Sequence, residues 1–256
     1  MGRMNVLVVI PARLAATRLP RKPLRLVGGA PLVTRVWDRV ASLGLAAAVV
    51  VACDSQEIAD AVHAAGGVAV LTRADHPSGT DRIAEVAQRP EFLPYEVILN
   101  VQGDEPFIPA QALTGALDMV RVRGFSLGTA AAPATLECLS DPSVVKVVTA
   151  ADGRAMYFSR APIPWCRDAA DAAEHVTLVR QHIGVYAYRR EALLAWVALP
   201  PHPLERVERL EQLRALAAGL TLGVALIDEP APRGVDTEDD LARANARWQH
   251  LYDGRT

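Results

Sequence analysis

Cations crowd one short stretch of this chain. Arg13, Arg18 and Lys22 lie within Pro11-Ala-Arg-Leu-Ala-Ala-Thr-Arg-Leu-Pro-Arg-Lys-Pro-Leu24, directly after the apolar run Val6–Ile10. Guanidinium forks fit phosphate oxygens bidentately, a lysine adds a point charge, and N–H groups of a turn supply further donors. The chemistry of such a loop is capture of a polyphosphate. Pro11, Pro20 and Pro23 stiffen it, which a merely solvated connection does not require. Arg21 and Arg25 are expected to face solvent. The chain contains neither G-x-x-x-x-G-K-[ST] nor G-x-G-x-x-G, so neither a Walker loop nor a dinucleotide fingerprint is indicated.

Two carboxylates complement the cations. Asp104 stands in Asn100-Val-Gln-Gly-Asp-Glu-Pro106, after the apolar run Val97–Val101, and Gln102-Gly103 lets the backbone turn sharply there. Asp236 stands in Gly234-Val-Asp-Thr237, after Leu220–Ile227. Nucleotidyl transfer builds negative charge on the α-phosphate and the leaving pyrophosphate, and a hard cation held by carboxylates stabilises it. Alone, Asp236 reads equally as a helix cap. Thr237 with Asp240 forms a capping-box-like pair that takes that role and leaves Asp236 available. Glu105 reads as a charge on a turn. A third segment, Thr72-Arg-Ala-Asp-His-Pro-Ser-Gly-Thr80, has two readings. Arg73, Ser78 and local N–H groups read a pyrimidine edge, or Asp75 and Ser78 simply form a well-capped helix start.

The elements that must position these groups alternate regularly. Val6–Ile10, Ala47–Ala52, Val68–Leu71 and Val97–Val101 are apolar and strand-length. Helix-period segments separate them: Pro31–Leu43, ending at Gly44; Gln56–Ala65, ending at Gly66-Gly67; a helix capped by Ser78 or Thr80 and running through Gln88; and Ala110–Arg123. Repeated strand–helix units predict a doubly wound, mostly parallel α/β sheet with right-handed crossovers. In such sheets ligands bind beyond the carboxyl ends of the strands, where the basic loop, Thr72–Thr80 and Asp104 all fall. After Ser126–Ala132 the pattern changes. Val144–Thr149 and Arg154–Phe158 flank Asp152-Gly153, a hairpin signal, and Pro162 to Thr177 reads as a long loop. Gln181–Tyr188 is a strand, Leu204–Ala218 an amphipathic helix, Leu220–Ile227 a strand and Glu238–Trp248 a closing helix. The expectation is one α/β domain over residues 1–256, carrying a smaller β-rich insertion near 133–200.

Composition excludes several classes. A formal net charge of −2 demands neither nucleic acid nor membrane as partner. No apolar run is long enough to span a bilayer, and no small-residue cleavage site follows the first apolar segment. Cys53, Cys138 and Cys166 suit neither a disulfide framework nor a zinc site, and read as reduced thiols of a cytoplasmic protein. His63, His76, His175, His202 and His250 have no metal-ligand spacing. His76 lies inside the Thr72–Thr80 segment, and its role stays open.

The basic loop resembles the N-terminal signature of the 3-deoxy-manno-octulosonate cytidylyltransferases. Further segments resemble that family in order along nearly the whole chain: Thr72–Thr80, Asn100–Pro106, Val145-Lys-Val147, Tyr157-Phe-Ser-Arg-Ala-Pro-Ile-Pro-Trp165, His182-Ile-Gly-Val-Tyr186, Leu210-Glu-Gln-Leu-Arg214 and Gly234–Thr237. The resemblance implies a nucleotide-diphospho-sugar-transferase-like fold with a dimerisation lobe, and transfer of CMP from CTP to an acidic 2-keto sugar for lipopolysaccharide synthesis. It implies that Arg13, Arg18, Lys22, Arg73, Ser78 and Gln102 bind CTP, and that Asp104 and Asp236 hold Mg²⁺. Arg13, Lys22, Asp104 and Asp236 would then be the catalytic groups. For the sugar it points to Gln102, Arg160, His182, Tyr186, Glu211 and Gln212. Arg160 suits the sugar carboxylate, and Glu211, Gln212 and Tyr186 suit its hydroxyls. Glu211 and Gln212 read equally as part of a solvated helix face. Gln181 departs from the family's pattern, which more often has a basic residue before the histidine. The alternatives are the same chemistry on an amino-substituted octulosonate or a sialic acid, and a CTP-binding sensor without turnover. Tyr157, Phe158, Ile163 and Trp165 either cover one another within their own domain or make a homodimer.

Overall fold

Val6–Ala12 is apolar almost throughout because it lies at the centre of a parallel sheet, covered on both faces. The computed structural model describes residues 5–15, 18–230 and 233–253; Ala16 and Thr17 of the basic loop fall outside them. The chain divides into two compact units. One holds the described residues up to Ile108 and those from 233 onward; the other runs from Pro109 to residue 230.

In the first unit, strand β1 (Val6–Ala12) is followed by a two-strand ladder, β2 (Leu26–Val27) and β3 (Ala30–Pro31), and by helix α1 (Leu32–Ser42). Then come β4 (Ala48–Cys53), α2 (Gln56–Ala64), β5 (Val68–Leu71), α3 (Gly79–Ala87) and β6 (Val97–Asn100). Strand β1 pairs in parallel with β6 on one side and β4 on the other, and β4 pairs in parallel with β5. Ser55 caps α2 and Ser78 caps α3. Gly28 and Gly29 both have positive φ, 55° and 81°, which lets β2 and β3 fold back in a two-residue turn.

The helix Glu238–Asp253 closes this unit. Its Leu241 and Ala244 form one apolar cluster with Leu19 of the basic loop, Val27, Leu32 and Val235, with Phe107 and Trp248 against it. Leu19 is fully buried. Truncating such a leucine to alanine typically costs about 2–5 kcal/mol, so the basic loop is anchored rather than draped.

The second unit begins with α4 (Ala110–Arg121) and β7 (Leu127–Pro133). A Cβ at Gly128 would meet the carbonyl oxygen of Ala116 at 2.0 Å, so only glycine allows this helix and strand to pack so closely. The chain continues through α5 (Leu136–Ser140), β8 (Lys146–Thr149), β9 (Ala155–Ser159), α6 (Ala172–Leu178), β10 (Arg180–Arg189) and α7 (Arg190–Ala198). It ends with α8 (Pro203–Glu208), α9 (Gln212–Ala217) and β11 (Leu222–Leu226). Strand β7 pairs in parallel with β11 and antiparallel with β10. Strands β8 and β9 form the expected hairpin, with Gly153 at φ 83° in its turn.

Besides α5 and the β2–β3 ladder, which the sequence reading does not include, three further stretches differ from it. The long loop from Pro162 carries a 3-10 turn at Ala169–Asp171 and then α6. Helix α7 occupies a stretch that the apolar pattern does not single out. The helix expected over Leu204–Ala218 is broken, because Arg209 turns left-handed at φ 53°. The carbonyls exposed by that break are satisfied by Arg160, whose Nε donates to Glu208 O at 2.8 Å and Nη2 to Arg209 O at 3.4 Å.

Candidate functional site

The basic loop leaves β1 beyond its carboxyl end and turns back at Arg21, which has φ 56°. Two neighbours hold the loop's course. The backbone N–H of Leu14 donates to Asp54 Oδ1 at 3.0 Å, and Leu19 is held by the apolar cluster. Arg21 pairs with Glu57 at the surface, and Arg25 makes a forked pair with Glu238, 2.6 and 2.7 Å.

Asp104 and Asp236 are brought together by backbone contacts. The N–H of Val235 donates to Asp104 O at 2.9 Å. A Cβ on Gly103 would stand 2.8 Å from Pro11 O, so the Gln102-Gly103 turn runs tight against the end of β1. Asp236 is fixed from its other side by the helix cap expected from Thr237 and Asp240. Thr237 Oγ1 accepts from Asp240 N at 3.2 Å, and Asp240 Oδ2 accepts from Thr237 N at 2.9 Å and Asp236 N at 3.2 Å. The side chain of Asp236 is thereby spared from capping.

Lys22 lies between the two carboxylates. Its Nζ is 2.5 Å from Asp104 Oδ2 and 3.0 Å from Asp236 Oδ1. Burial works to lower the lysine pKa, but the two carboxylates, Asp104 foremost, outweigh it and raise the pKa above the ordinary value. Arg18 reaches Asp236 Oδ2 at 3.0 Å from a largely exposed position. Such exposed pairs contribute little energy, so the guanidinium re-partners readily with an incoming anion. Glu105, beside them, is pushed up to about 8, first by burial and then by the charges of Asp104 and Asp236.

Arg18, Lys22, Asp104 and Asp236 line a cavity of about 390 Å³ together with Pro11, Arg13, Gln102 and Gly103. Its wall also includes His76, Pro77, Ser78 and Gly79 at the start of α3. Ser78 Oγ spends itself on the cap, accepting from Asp81 N and donating to Asp81 Oδ2 at 2.7 Å. Arg73 does not line the cavity; it is exposed and pairs with Asp75 at 3.5 Å. Two residues that sequence reasoning did not select do line it. Arg82 is buried, donating from Nη1 to Thr72 Oγ1 and lying 3.5 Å from Asp54. His76 is buried against Glu85. The available signal was their spacing around the Ser78 cap, which puts both at the open end of α3.

Asp104 and Asp236 offer hard oxygen donors converging on one point, the position of Lys22 Nζ, and this suits a divalent cation such as Mg²⁺. Among the described residues no cluster of three or more His, Cys, Asp or Glu side chains could hold a metal ion. A cation held by these two aspartates would thus draw its remaining ligands from phosphate oxygens and water.

The residues selected for a sugar lie, Gln102 excepted, in the second unit. His182 packs edge-on to Phe158 at 5.0 Å and beside Tyr186 at 5.4 Å. Thr129 Oγ1 lies 2.7 Å from Val185 O, to which it donates, so it accepts from His182 Nε2 at 2.9 Å. Desolvation lowers the pKa of the imidazole to about 3. Burial raises the Tyr186 hydroxyl well above its ordinary value, and the charge of Glu211 adds to this. Gln212 is buried. Arg160 donates to Pro142 O at 2.8 Å as well as to the carbonyls closing α8, so three of its five N–H groups serve the backbone. Gln181 pairs with Lys146, whose buried ammonium donates to the carbonyls of Asp141, Val144 and Arg160.

Comparison with known proteins gives a consistent result. A family model described as Cytidylyltransferase matches residues 7–222. The 3-deoxy-manno-octulosonate cytidylyltransferase of Gemmatimonas aurantiaca is 59% identical, over 97% of this chain and 96% of that protein. That of Rhodospirillum centenum is 48% identical, over 98% and 95%. Among solved structures, a CMP:2-keto-3-deoxy-manno-octonic acid synthetase complexed with CTP superposes with a TM-score of 0.88 at 37% identity, covering 96% of this chain and 99% of that one. This chain is a nucleotidyltransferase and belongs to the 3-deoxy-manno-octulosonate cytidylyltransferase family.

Proposed function

We propose that this chain transfers the cytidylyl group of CTP to the anomeric 2-hydroxyl of 3-deoxy-manno-octulosonate. The carrying observation is the cavity in which Arg13, Arg18 and Lys22 meet Asp104 and Asp236, within a chain of this family. Arg13, Arg18 and Lys22 bind the triphosphate. Arg18 and Lys22 exchange their carboxylate partners for phosphate oxygens. The sugar hydroxyl gives its proton to water, its oxygen bonds to the α-phosphorus, and the bond from that phosphorus to the bridging oxygen of the β-phosphate breaks. The cations then hold the charge of the departing pyrophosphate, and positioning plus electrostatic stabilisation supply most of the catalysis. Asp104 and Asp236 hold Mg²⁺, which supplies charge neutralisation at the phosphates when bound. The sugar-binding candidates, Gln102, Arg160, His182, Tyr186, Glu211 and Gln212, are carried over from the family resemblance. Ser78 with the start of α3 serves the nucleotide, whereas Arg73, exposed and paired with Asp75, lies outside the cavity. The whole chain works as one nucleotidyltransferase domain, the lobe near 133–200 being its accessory part.

Trp165 is 78% exposed and Met156 62%, and Leu178 is also exposed, on a lobe whose Phe158 is buried within its own unit. This supports a homodimer formed through the lobe; a monomer by light scattering at micromolar concentration removes that part. The chemistry is tested with purified protein, CTP, Mg²⁺ and 3-deoxy-manno-octulosonate. Pyrophosphate release and a CMP-sugar are expected. Its absence with this sugar, alongside release with an amino-substituted octulosonate or a sialic acid, would move the assignment to that sugar; CTP binding without release from any of them refutes turnover.

A further inference from the structure

Strands β1 and β4 run in parallel until Ala12 stands beside Cys53. The backbone ladder stops there and a side chain takes it over. Asp54, the next residue after β4, accepts from the backbone N–H of Leu14 through Oδ1 at 3.0 Å. That N–H belongs to the peptide joining Arg13 to the rest of the basic loop, so its bond fixes the direction in which the loop leaves the sheet. Asp54 is itself held. Its Oδ2 lies 3.5 Å from Arg82 Nη2, and the two side chains are only 11% and 4% exposed. Arg82 Nη1 donates to Thr72 Oγ1, which in turn donates to Cys53 O at 3.0 Å. The carboxyl ends of β1, β4 and β5 are thereby tied together by Leu14, Asp54, Thr72 and Arg82.

Charge explains why the carboxylate and the guanidinium come as a pair. A lone carboxylate beside a polyphosphate site repels the ligand, and a buried guanidinium without a partner is costly. Together they cancel, and Arg82 is the member that lines the cavity. The Leu14 N–H needs an acceptor once the loop has left the ladder, because a backbone donor removed from water has to be paired. An ionised acceptor makes that bond stronger than a neutral one. The consequence is preorganisation: the ligand does not have to order the backbone that carries the cations.

We infer that Asp54 is a positioning residue for the triphosphate, presetting the basic loop through the Leu14 N–H while Arg82 neutralises its charge. This rests on the functional reading above. Asp54 touches no substrate in this scheme. It acts through the backbone that carries Arg13, so its effect grows with the number of phosphates the loop has to meet. A purely structural role would instead weaken every nucleotide alike.

The test is calorimetric binding of CTP and of CMP, with Mg²⁺ and without sugar, to the native chain, to Asp54→Ala, and to a chain whose Arg13–Leu14 amide is replaced by an ester. The ester removes only the N–H donor and leaves Asp54 and Arg82 paired, so it decides the matter if Asp54→Ala fails to fold by circular dichroism. In Asp54→Ala the Kd for CTP should rise roughly ten- to hundredfold, and in the ester roughly three- to tenfold. The Kd for CMP, with its single phosphate, should stay within about threefold in Asp54→Ala and nearly unchanged in the ester, so the preference for CTP over CMP falls in both. An unchanged CTP-to-CMP ratio in the folded ester, or equal weakening of both nucleotides in either variant, overturns the inference alone. A native chain that binds no CTP overturns the functional reading and this inference with it.

Discussion

The ammonium of Lys22 stands between Asp104 and Asp236, 2.5 Å from an oxygen of one and 3.0 Å from an oxygen of the other. One cation thus makes two neighbouring carboxylates tolerable before any ligand arrives, and it holds the place a divalent ion would take. Lys22→Ala should lower kcat by roughly 10²–10³-fold, the loss typical of removing one preorganised charge stabiliser. The same variant should bind Mg²⁺ more tightly than the native chain when CTP is absent, because the internal competitor is gone. Calorimetric titration with Mg²⁺ measures this; weaker binding would show that Lys22 supports the cation rather than competing with it.

Asp104→Asn and Asp236→Asn keep size and hydrogen bonding but remove charge. Each should reduce kcat by about a hundredfold or more and raise the Mg²⁺ concentration needed for half-maximal pyrophosphate release. Circular dichroism should be unchanged. Native Mg²⁺ dependence in either variant removes that aspartate from the metal assignment.

Asp240 touches no substrate in this scheme, yet it organises the turn that presents Asp236. Asp240→Ala removes the acceptor shared by Asp236 N, Thr237 N and Thr237 Oγ1. Stability should fall by about 1 kcal/mol, a typical cap loss, read by urea denaturation. Turnover should fall alongside, with the Mg²⁺ requirement raised. A stability loss without any change in Mg²⁺ requirement would confine Asp240 to the helix end.

His182 gives a pH signature of folding. Its pKa is about 3 in the folded chain against 6.5 ordinarily. Between these values the unfolded chain binds the extra proton and the folded chain does not. Unfolding free energy therefore rises with pH across this window and is lost as pH falls, by at most about 1.4 kcal/mol per unit. His182 is only half-buried as a residue, which makes that slope a ceiling. In His182→Gln the slope of urea-derived stability between about pH 4.5 and 6.5 should be shallower than in the native chain. Equal slopes would mean the imidazole is solvated.

Much of the frame was readable in the sequence because its signals are local. Apolar runs of strand length became β1, β4, β5 and β6, Asp152-Gly153 became a hairpin turn, and Thr237 with Asp240 became a cap. What escaped depends on partners distant in sequence. Helix periodicity over Leu204–Ala218 is real, but it cannot reveal that Arg160 binds the carbonyls at Glu208 and Arg209 and so stabilises a break. Pro162 and Pro164 suggested loop, and the alanine-rich run after Asp168 formed α6 all the same. In the site, Arg13, Arg18, Lys22, Asp104 and Asp236 announced themselves by charge type beyond strand ends. Arg82 and His76 did not, because only the fold shows which residues of the α3 start face the cavity.

The hydrogen bond from Val235 N to Asp104 O, 2.9 Å, joins stretches of chain separated by well over a hundred residues. During synthesis the N-terminal parts fold first. A nascent chain would already own its basic loop, its parallel strands and Asp104, but not Asp236 or the helix that caps it. Such a chain has the charges to gather a nucleotide and lacks the second carboxylate and Leu241, which help to fix Lys22 and Leu19. Catalytic competence is thus withheld until the segment carrying Asp236 has been made and has folded back onto Asp104.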